Sequence, residues 1–381
     1  MIHDPPGICP SSPFKLLGSY VEADVDIFGG REQEIFDITA RLASRGMLVI
    51  YGPSGIGKTS LIQAGIFPHV RDLGWSYAYV RVLTDPLADL ATALTQRLGP
   101  LTGPERTDVI ERIAGYADRA PLLIAFDQFE EFFTRLQANL RDAFISMVAD
   151  LSHRSDIDCR ILFSLREDYF AKFDEFRRKL PDILNNSYRI GSLSAFGARE
   201  AITRPLLQRN IPLENRLIPS LLDELVKFDF DPAFLQILCG ELVRTASERD
   251  PCLLRITAAD FSALGGIEGI FDRYLDNALN DLPADKRLLA RLVLDVLISP
   301  DRIKHAMRPD DFLTERFVVT IEELTTILNT ACLSRSTSTV IMESSTSICS
   351  TISIPPADAC GPANVAISSI RSRRRTSLRF N

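Results

Sequence analysis

The chain has 381 residues, of which 46% are hydrophobic and 24% charged, and a net charge of −7; this is the profile of a globular protein of two or three domains and argues against a general nucleic-acid binder. No apolar run approaches the roughly 20 residues that span a bilayer, the first residues lack the features of a signal peptide, and no CxxC or histidine pair lies at metal-ligand spacing. We therefore expect a cytoplasmic protein with no membrane partner.

Residues 1–193 predict an α/β domain in which short apolar strands alternate with helices. A helix is predicted over 31–44, because its apolar residues recur at helical spacing. The predicted strands cover, in chain order, 47–51, 75–83, 121–127, 159–165 and 188–193. Strands that alternate with helices favour a mostly parallel sheet flanked by helices.

The character of the sequence changes twice after this domain. Helical periodicity replaces the strand pattern from about residue 195, which predicts an all-α helical domain over 194–265. The segment 331–381 contains 17 Ser or Thr, six Arg, two acids and no Lys, and shows no useful periodicity. We interpret it as a disordered terminus or, as we favour, the product of out-of-frame translation. The coding DNA read in its other two frames would separate these alternatives.

A phosphate-binding loop is predicted between the first strand and the next helix, where the pattern G-x-x-x-x-G-K-[ST] occurs. Its residues are Gly52, Pro53, Ser54, Gly55, Ile56, Gly57, Lys58 and Thr59, and Ser60 follows them. Glycines allow backbone N–H groups to converge on a phosphate, and the helix N-terminus adds partial positive charge. The lysine reaches the β- and γ-phosphates, and the threonine hydroxyl is placed for Mg²⁺.

The strand at 121–127 ends in Asp127, where a carboxylate can hold the water shell of Mg²⁺. Gln128 follows at a position where many related ATPases carry glutamate. Glu130 and Glu131 come next, and either could orient the attacking water, with Glu130 favoured. No N-K-x-D motif of the guanine-specific kind occurs in the chain. We therefore predict a P-loop NTPase of the ASCE or AAA+-like type that takes ATP and Mg²⁺.

These residues resemble the STAND NTPases, which are signal-transduction ATPases with numerous domains, and specifically the bacterial novel STAND NTPases of the first type. The resemblance runs from about residue 12 to about residue 320. It begins with an N-terminal segment, 12–32, whose family signature Phe-Gly-Arg-Glu carries an extra glycine here. It continues through "GPSGIGKTSLIQAGIFP", "DQFEEFF", "LFSLREDYFAKF" and "FDPAFLQILCGEL".

The resemblance implies roles for residues that spacing alone does not assign. It implies that the N-terminal segment, which includes Arg31, packs near the adenine, and that Pro232 lies against the nucleotide. It implies that Arg166 acts as a sensor beside the γ-phosphate. The family-like stretch "ALGGIEGIFDRYLD" implies that 266–330 is a partial winged-helix-like region.

The family also implies a function, which is a slowly hydrolysing, ATP-dependent signalling switch in bacterial stress or defence. It implies a homo-oligomer in the ATP state. Family members carry effector and sensor regions for which the ordered part of this chain leaves little room, so we expect any effector or sensor to be a separate partner. The alternatives are a truncated nucleotide-binding remnant without output and an AAA+-like ATPase acting on nucleic acid, which the acidic charge disfavours.

Overall fold

The computed structural model describes residues 12–82, 85–99, 109–250 and 254–280, together with residues 287 and 290. The described residues all belong to one compact unit. Most of the predicted winged-helix-like region and the whole predicted tail, 331–381, lie outside the described residues, so both interpretations stay predictions.

Five parallel strands form one sheet within these residues. They are β1 (Met47–Gly52), β2 (Ser76–Arg81), β3 (Leu122–Asp127), β4 (Cys159–Arg166) and β5 (Ser187–Arg189), in the spatial order β2-β3-β4-β1-β5. Every residue of β3 is buried, as its continuous apolar pattern indicates. The predicted parallel sheet is confirmed. The last strand is shorter than predicted, because the chain turns out of the sheet after the Ile190 N–H donates to the Tyr51 carbonyl.

Helices cover the sheet. They are α1 (Glu32–Arg45), α2 (Lys58–Ser60), α3 (Phe67–Asp72), α4 (Pro86–Leu98), α5 (Val109–Ala117), α6 (Glu130–Arg135) and α7 (Ala138–Ser152). A π-helical turn, Leu61–Ile66, joins α2 to α3, so the helix after the phosphate loop is continuous but locally widened.

An aromatic cluster joins β3 and β4 to the segments that follow each strand and to α7. Its rings come from Phe126, Phe129, Phe132, Phe144, Phe163, Phe173 and Phe176, with centroids 4.6–6.5 Å apart. The segment Glu167–Arg178 after β4 is a run of 3-10 turns, and this places two of the rings on the buried side. Such pairs add to the free energy of plain area burial, so the ends of β3 and β4 are held rigidly.

A group of helices with its own core follows β5. It contains α8 (Ala195–Gln208), α9 (Leu217–Leu225), α10 (Pro232–Arg249), α11 (Ala258–Ala263) and α12 (Gly266–Asn280). Its buried side chains form a cluster separate from the two that cover the sheet. Within the described ranges, every helix is too short or too polar to cross a bilayer.

The N-terminal segment contacts both parts. Phe14 belongs to the core of the helical group, whereas Tyr20 and Ile27 pack on Ala64 in the helix after the phosphate loop. A Cβ on Gly240 of α10 would lie 2.4 Å from Leu16 Cδ2, so the Leu16 side chain packs directly on the α10 backbone at this glycine. The segment therefore joins the α/β part to the helical part.

Candidate functional site

A cavity of about 510 Å³ lies at the carboxyl edge of the sheet, between the phosphate loop, the N-terminal segment and the start of α10. It brings together most of the site residues predicted from the sequence. Those that line it are Arg31, Ser54, Gly55, Ile56, Gly57, Lys58, Thr59, Ser60, Asp127, Glu130, Arg166 and Pro232. Gly52, Pro53 and Glu131 do not line it.

The phosphate loop owes its shape to glycines. Gly55 and Gly57 have φ angles of 82° and 91°, a region that L residues with side chains rarely adopt. A Cβ on Gly52 would lie 2.4 Å from the Ile190 carbonyl oxygen, so only glycine allows β1 to end against the chain that leaves β5. At Gly55 and Gly57, no side chain covers the loop backbone that lines the cavity.

Lys58 is the main cation of the loop. Its Nζ donates to the carbonyl oxygens of Gly52 and Pro53, both at 2.8 Å. Burial lowers the pKa of this ammonium, while the charges of Glu130 and Asp127 partly offset the effect. A buried ammonium with nearby carbonyls is well placed to exchange those contacts for phosphate oxygens.

Asp127 is almost fully buried, at 1% exposure, and accepts three hydroxyl hydrogen bonds. Thr59 Oγ1 lies 2.6 Å from its Oδ2, Tyr79 OH lies 3.0 Å from the same oxygen, and Ser164 Oγ lies 2.7 Å from Oδ1. Tyr79 and Ser164 were not anticipated from the sequence. The only signal in the sequence was that Ser164 is the single hydroxyl residue of β4; β2 offers Ser76, Tyr77 and Tyr79, and nothing local singles out Tyr79.

The two neighbouring glutamates differ in their surroundings. Glu130 lines the cavity at 4% exposure, and its Oε2 accepts the backbone N–H of Arg166 at 3.2 Å. Burial raises its pKa, and backbone hydrogen bonds and Lys58 partly oppose this. Glu131 is fully buried away from the cavity, in ion pairs with Arg81 and, at 3.7 Å, with Arg135.

The two predicted arginines also have different partners. Arg166 lies at the end of β4 and forms an ion pair with Asp168 at 2.7 Å. Arg31 is only 5% exposed and donates to the carbonyls of Ile56 at 3.2 Å and Gly191 at 2.8 Å. Arg31 therefore ties the phosphate loop to the chain that leads from β5 into the helical group.

Pro232 begins α10, where Asp231 caps the helix by accepting the N–H groups of Ala233 and Phe234. One turn later, Gln236 Oε1 accepts the hydroxyl of Tyr20 at 2.8 Å.

Tyr20 also contacts the other side of the cavity. Its backbone N–H donates to Ser60 Oγ at 3.1 Å, and burial raises the pKa of its hydroxyl above the ordinary value. The sequence alone offered no sign that Tyr20 bridges Ser60 and Gln236, because these residues are far apart along the chain.

The residues present fit a nucleotide with a divalent metal. The loop offers backbone donors and an ammonium, which suit phosphates, and Thr59 and Asp127 offer hard oxygen ligands of the kind Mg²⁺ prefers. Among the described residues, no group of three or more His, Cys, Asp or Glu is arranged to hold a metal.

Three solved structures illustrate what the fold is similar to. A Walker-type ATPase of Pyrococcus abyssi is 12% identical, with 84% of this chain and 93% of that chain covered and a TM-score of 0.48. The ORC1 protein of Aeropyrum pernix in complex with DNA is 17% identical, with 81% and 84% covered and a TM-score of 0.43. The RuvB Holliday junction branch migration motor of Thermotoga maritima is 15% identical, with 84% and 91% covered and a TM-score of 0.43. These likenesses are too weak to carry an argument about function.

No curated protein matches the chain. The family comparison is decisive, because the model of the family "Novel STAND NTPase 1" matches residues 13–334. This range covers the sheet, the cavity and the helical group. The chain belongs to the novel STAND NTPase 1 family and contains a nucleotide-binding NTPase module.

Proposed function

We propose that this protein is an ATP-dependent switch that hydrolyses ATP slowly. The observation that carries the proposal is the cavity itself, which is lined both by the phosphate loop and by the N-terminal segment and α10. A ligand held there contacts the α/β part and the helical part at once. A nucleotide shifts a conformational equilibrium only through contacts that differ between the two states. A ligand that contacts both parts of the chain makes such contacts when the two parts change their relative position.

In this proposal the phosphates lie on the loop, with Lys58 on the β- and γ-phosphates, and Thr59 and Asp127 hold Mg²⁺. Bound Mg²⁺ would neutralise charge on the phosphate oxygens. Glu130 is the base that orients and deprotonates water, since it lines the cavity and Glu131 is engaged by two arginines. The absence of an N-K-x-D motif supports ATP over GTP.

Two hydrogen-bonded connections support the coupling between ligand and helical group. Arg31 connects Ile56 in the loop to Gly191 in the connection to α8. Tyr20 connects Ser60 to Gln236 in α10. A change in the loop on loss of the γ-phosphate would therefore reach the helical group at two points, just before α8 and in the first turns of α10, as in other nucleotide switches. Output through a homo-oligomer, an effector or a sensor partner is part of the proposal.

The test compares wild-type protein loaded with Mg²⁺–ADP and with a non-hydrolysable Mg²⁺–ATP analogue. Limited proteolysis at residues 190–193 and light scattering measure the response. We expect slower cleavage or a larger particle with the ATP analogue. Identical digestion patterns and masses with both nucleotides, at saturating occupancy shown by calorimetry, would contradict the switch and leave a nucleotide-binding remnant as the better description.

A further inference from the structure

Gln128 occupies an unusual backbone conformation at the edge of the cavity. It directly follows Asp127 and has a φ of 52°, a left-handed value that is uncommon for residues other than glycine. The backbone on both sides is held in place: the Phe129 N–H donates to the Ser164 carbonyl at 2.8 Å, and the Glu131 N–H donates to the Gln128 carbonyl at 3.0 Å. The fold therefore imposes this conformation on a residue that disfavours it.

The side chain of Gln128 is also in an energetically unfavourable environment. It lines the cavity with Lys58, Asp127, Glu130 and Arg166. Its Oε1 is buried and, within the part of the chain that the structure describes, has no hydrogen-bond partner. A buried carbonyl oxygen without a partner loses the free energy of its contact with water. Backbone strain and an unmet acceptor in one cavity-lining residue are typical of a functional position.

We propose that Gln128 positions the attacking water, with its Oε1 as acceptor for one water proton. This inference rests on the proposed ATP hydrolysis and adds a residue to it. The water oxygen forms the bond to the terminal phosphorus, and the bond from that phosphorus to the bridging oxygen breaks. The bridging oxygen leaves with the electron pair as part of ADP. The other water proton passes to the carboxylate of Glu130, which is the general base.

Charge explains why a carboxamide at position 128 suits a site whose general base is the carboxylate of Glu130. Burial raises the pKa of Glu130, and the charge of Asp127 adds to this effect. A third carboxylate at position 128 would further disfavour the ionised form of Glu130 and keep it neutral to higher pH. A carboxamide accepts a hydrogen bond from water without adding negative charge beside the phosphates.

The test uses Gln128→Gly, because glycine adopts this φ without strain and removes only the side chain. We expect turnover of Mg²⁺–ATP to fall about 100-fold while the affinity for Mg²⁺–ADP and the melting temperature are unchanged or higher. Asn210→Gly is the matched control, because Asn210 has a φ of 54° and is exposed and outside the cavity lining. It should keep wild-type turnover.

A second readout is independent of turnover. Calorimetry measures the binding of Mg²⁺–ADP plus aluminium fluoride, a mimic of the transferring phosphoryl group. The affinity of Gln128→Gly should fall at least about 10-fold relative to wild type, whereas the affinity of Asn210→Gly should not change. In Gln128→Glu, the pH at which hydrolysis reaches half of its maximal rate should be higher than in wild type. Retention of wild-type turnover and of aluminium fluoride affinity by Gln128→Gly would overturn the inference. Failure of the wild-type protein to bind Mg²⁺–ADP would instead overturn the proposed function.

Discussion

The two walls of the cavity are built in different ways. The phosphate wall comes from one continuous stretch, Ser54–Ser60, whose shape depends on glycine backbone and whose main charge is that of Lys58. The opposite wall joins the N-terminal segment to α10 through contacts such as Tyr20 with Gln236, which are 216 residues apart. In the proposed switch, phosphate affinity is therefore a local property of the chain, whereas coupling to the helical group depends on tertiary contacts.

The largest expected effect is on the phosphate wall. Lys58→Ala removes charge-assisted contacts to two phosphates, each worth about 1.5–3 kcal/mol. We expect Mg²⁺–ATP affinity to fall roughly 1,000-fold, about 4 kcal/mol, with little change in melting temperature. Calorimetry measures the affinity, and exposed Lys172→Ala serves as the control. Unchanged affinity in Lys58→Ala would remove the assignment of this loop to phosphate.

The next effect is on the opposite wall. Gly30, the second of the two glycines in the signature of the N-terminal segment, has a φ of 87°, and a Cβ there would lie 2.1 Å from the Gly197 carbonyl oxygen in α8. Gly30→Ala should cost about 3 kcal/mol of unfolding free energy, through left-handed strain and the backbone clash.

The matched control for this change is Gly74→Ala. Gly74 has a φ of 82° but nothing within 4 Å of an added Cβ, so it should lose only about 1 kcal/mol. Urea unfolding measures both values. Equal losses of unfolding free energy in the two variants would show that the close approach of Gly30 to Gly197 adds nothing to the cost of Gly30→Ala.

A third prediction separates chemistry from binding on the phosphate wall. Glu130→Gln should keep nucleotide affinity and slow hydrolysis about 100-fold, as expected for loss of a general base. Glu131→Gln should instead lose about 2 kcal/mol of stability, since it leaves two arginines without their buried partner. Turnover measured beside urea unfolding distinguishes the variants; the opposite pattern would make Glu131 the base.

The pH dependence of Glu130 follows from its raised pKa. The base must be ionised, so hydrolysis should rise with pH, with a midpoint above the ordinary glutamate pKa. A raised pKa in the folded state contributes stability that is present at low pH and lost as pH rises through that pKa. Glu130→Gln should therefore gain stability relative to wild type as pH rises through that pKa, which urea unfolding at a series of pH values measures. Stability curves that stay parallel across pH would contradict this.

The smallest effect concerns the bridge between the walls. Tyr20→Phe removes the hydroxyl bonded to Gln236 and should cost about 1 kcal/mol. It should also reduce the difference in proteolysis between ADP and the ATP analogue. Tyr116→Phe is the control, because this buried tyrosine donates to Gly99 away from the cavity. A nucleotide response that is equal in both variants would exclude Tyr20 from the coupling.

Much of the sheet could be predicted from the sequence, because a strand buried on both faces leaves a continuous apolar run, as in β1, β3 and β4. β5 was predicted too long, since its end depends on where the chain turns toward the helical group. The segment after β4, Glu167–Arg178, is a run of 3-10 turns. Periodicities of three and 3.6 are hard to tell apart over three turns.

The phosphate wall can be read from the local sequence. The spacing of glycines, lysine and threonine is a local requirement of the chain that surrounds a phosphate, and Asp127 ends a strand that an apolar run defines. Tertiary contacts, by contrast, set which glutamate faces the cavity, place Tyr20 across it, and hold Gln128 in a strained conformation with an unmet acceptor. These features depend on contacts between residues distant along the chain, whose energies no local pattern encodes.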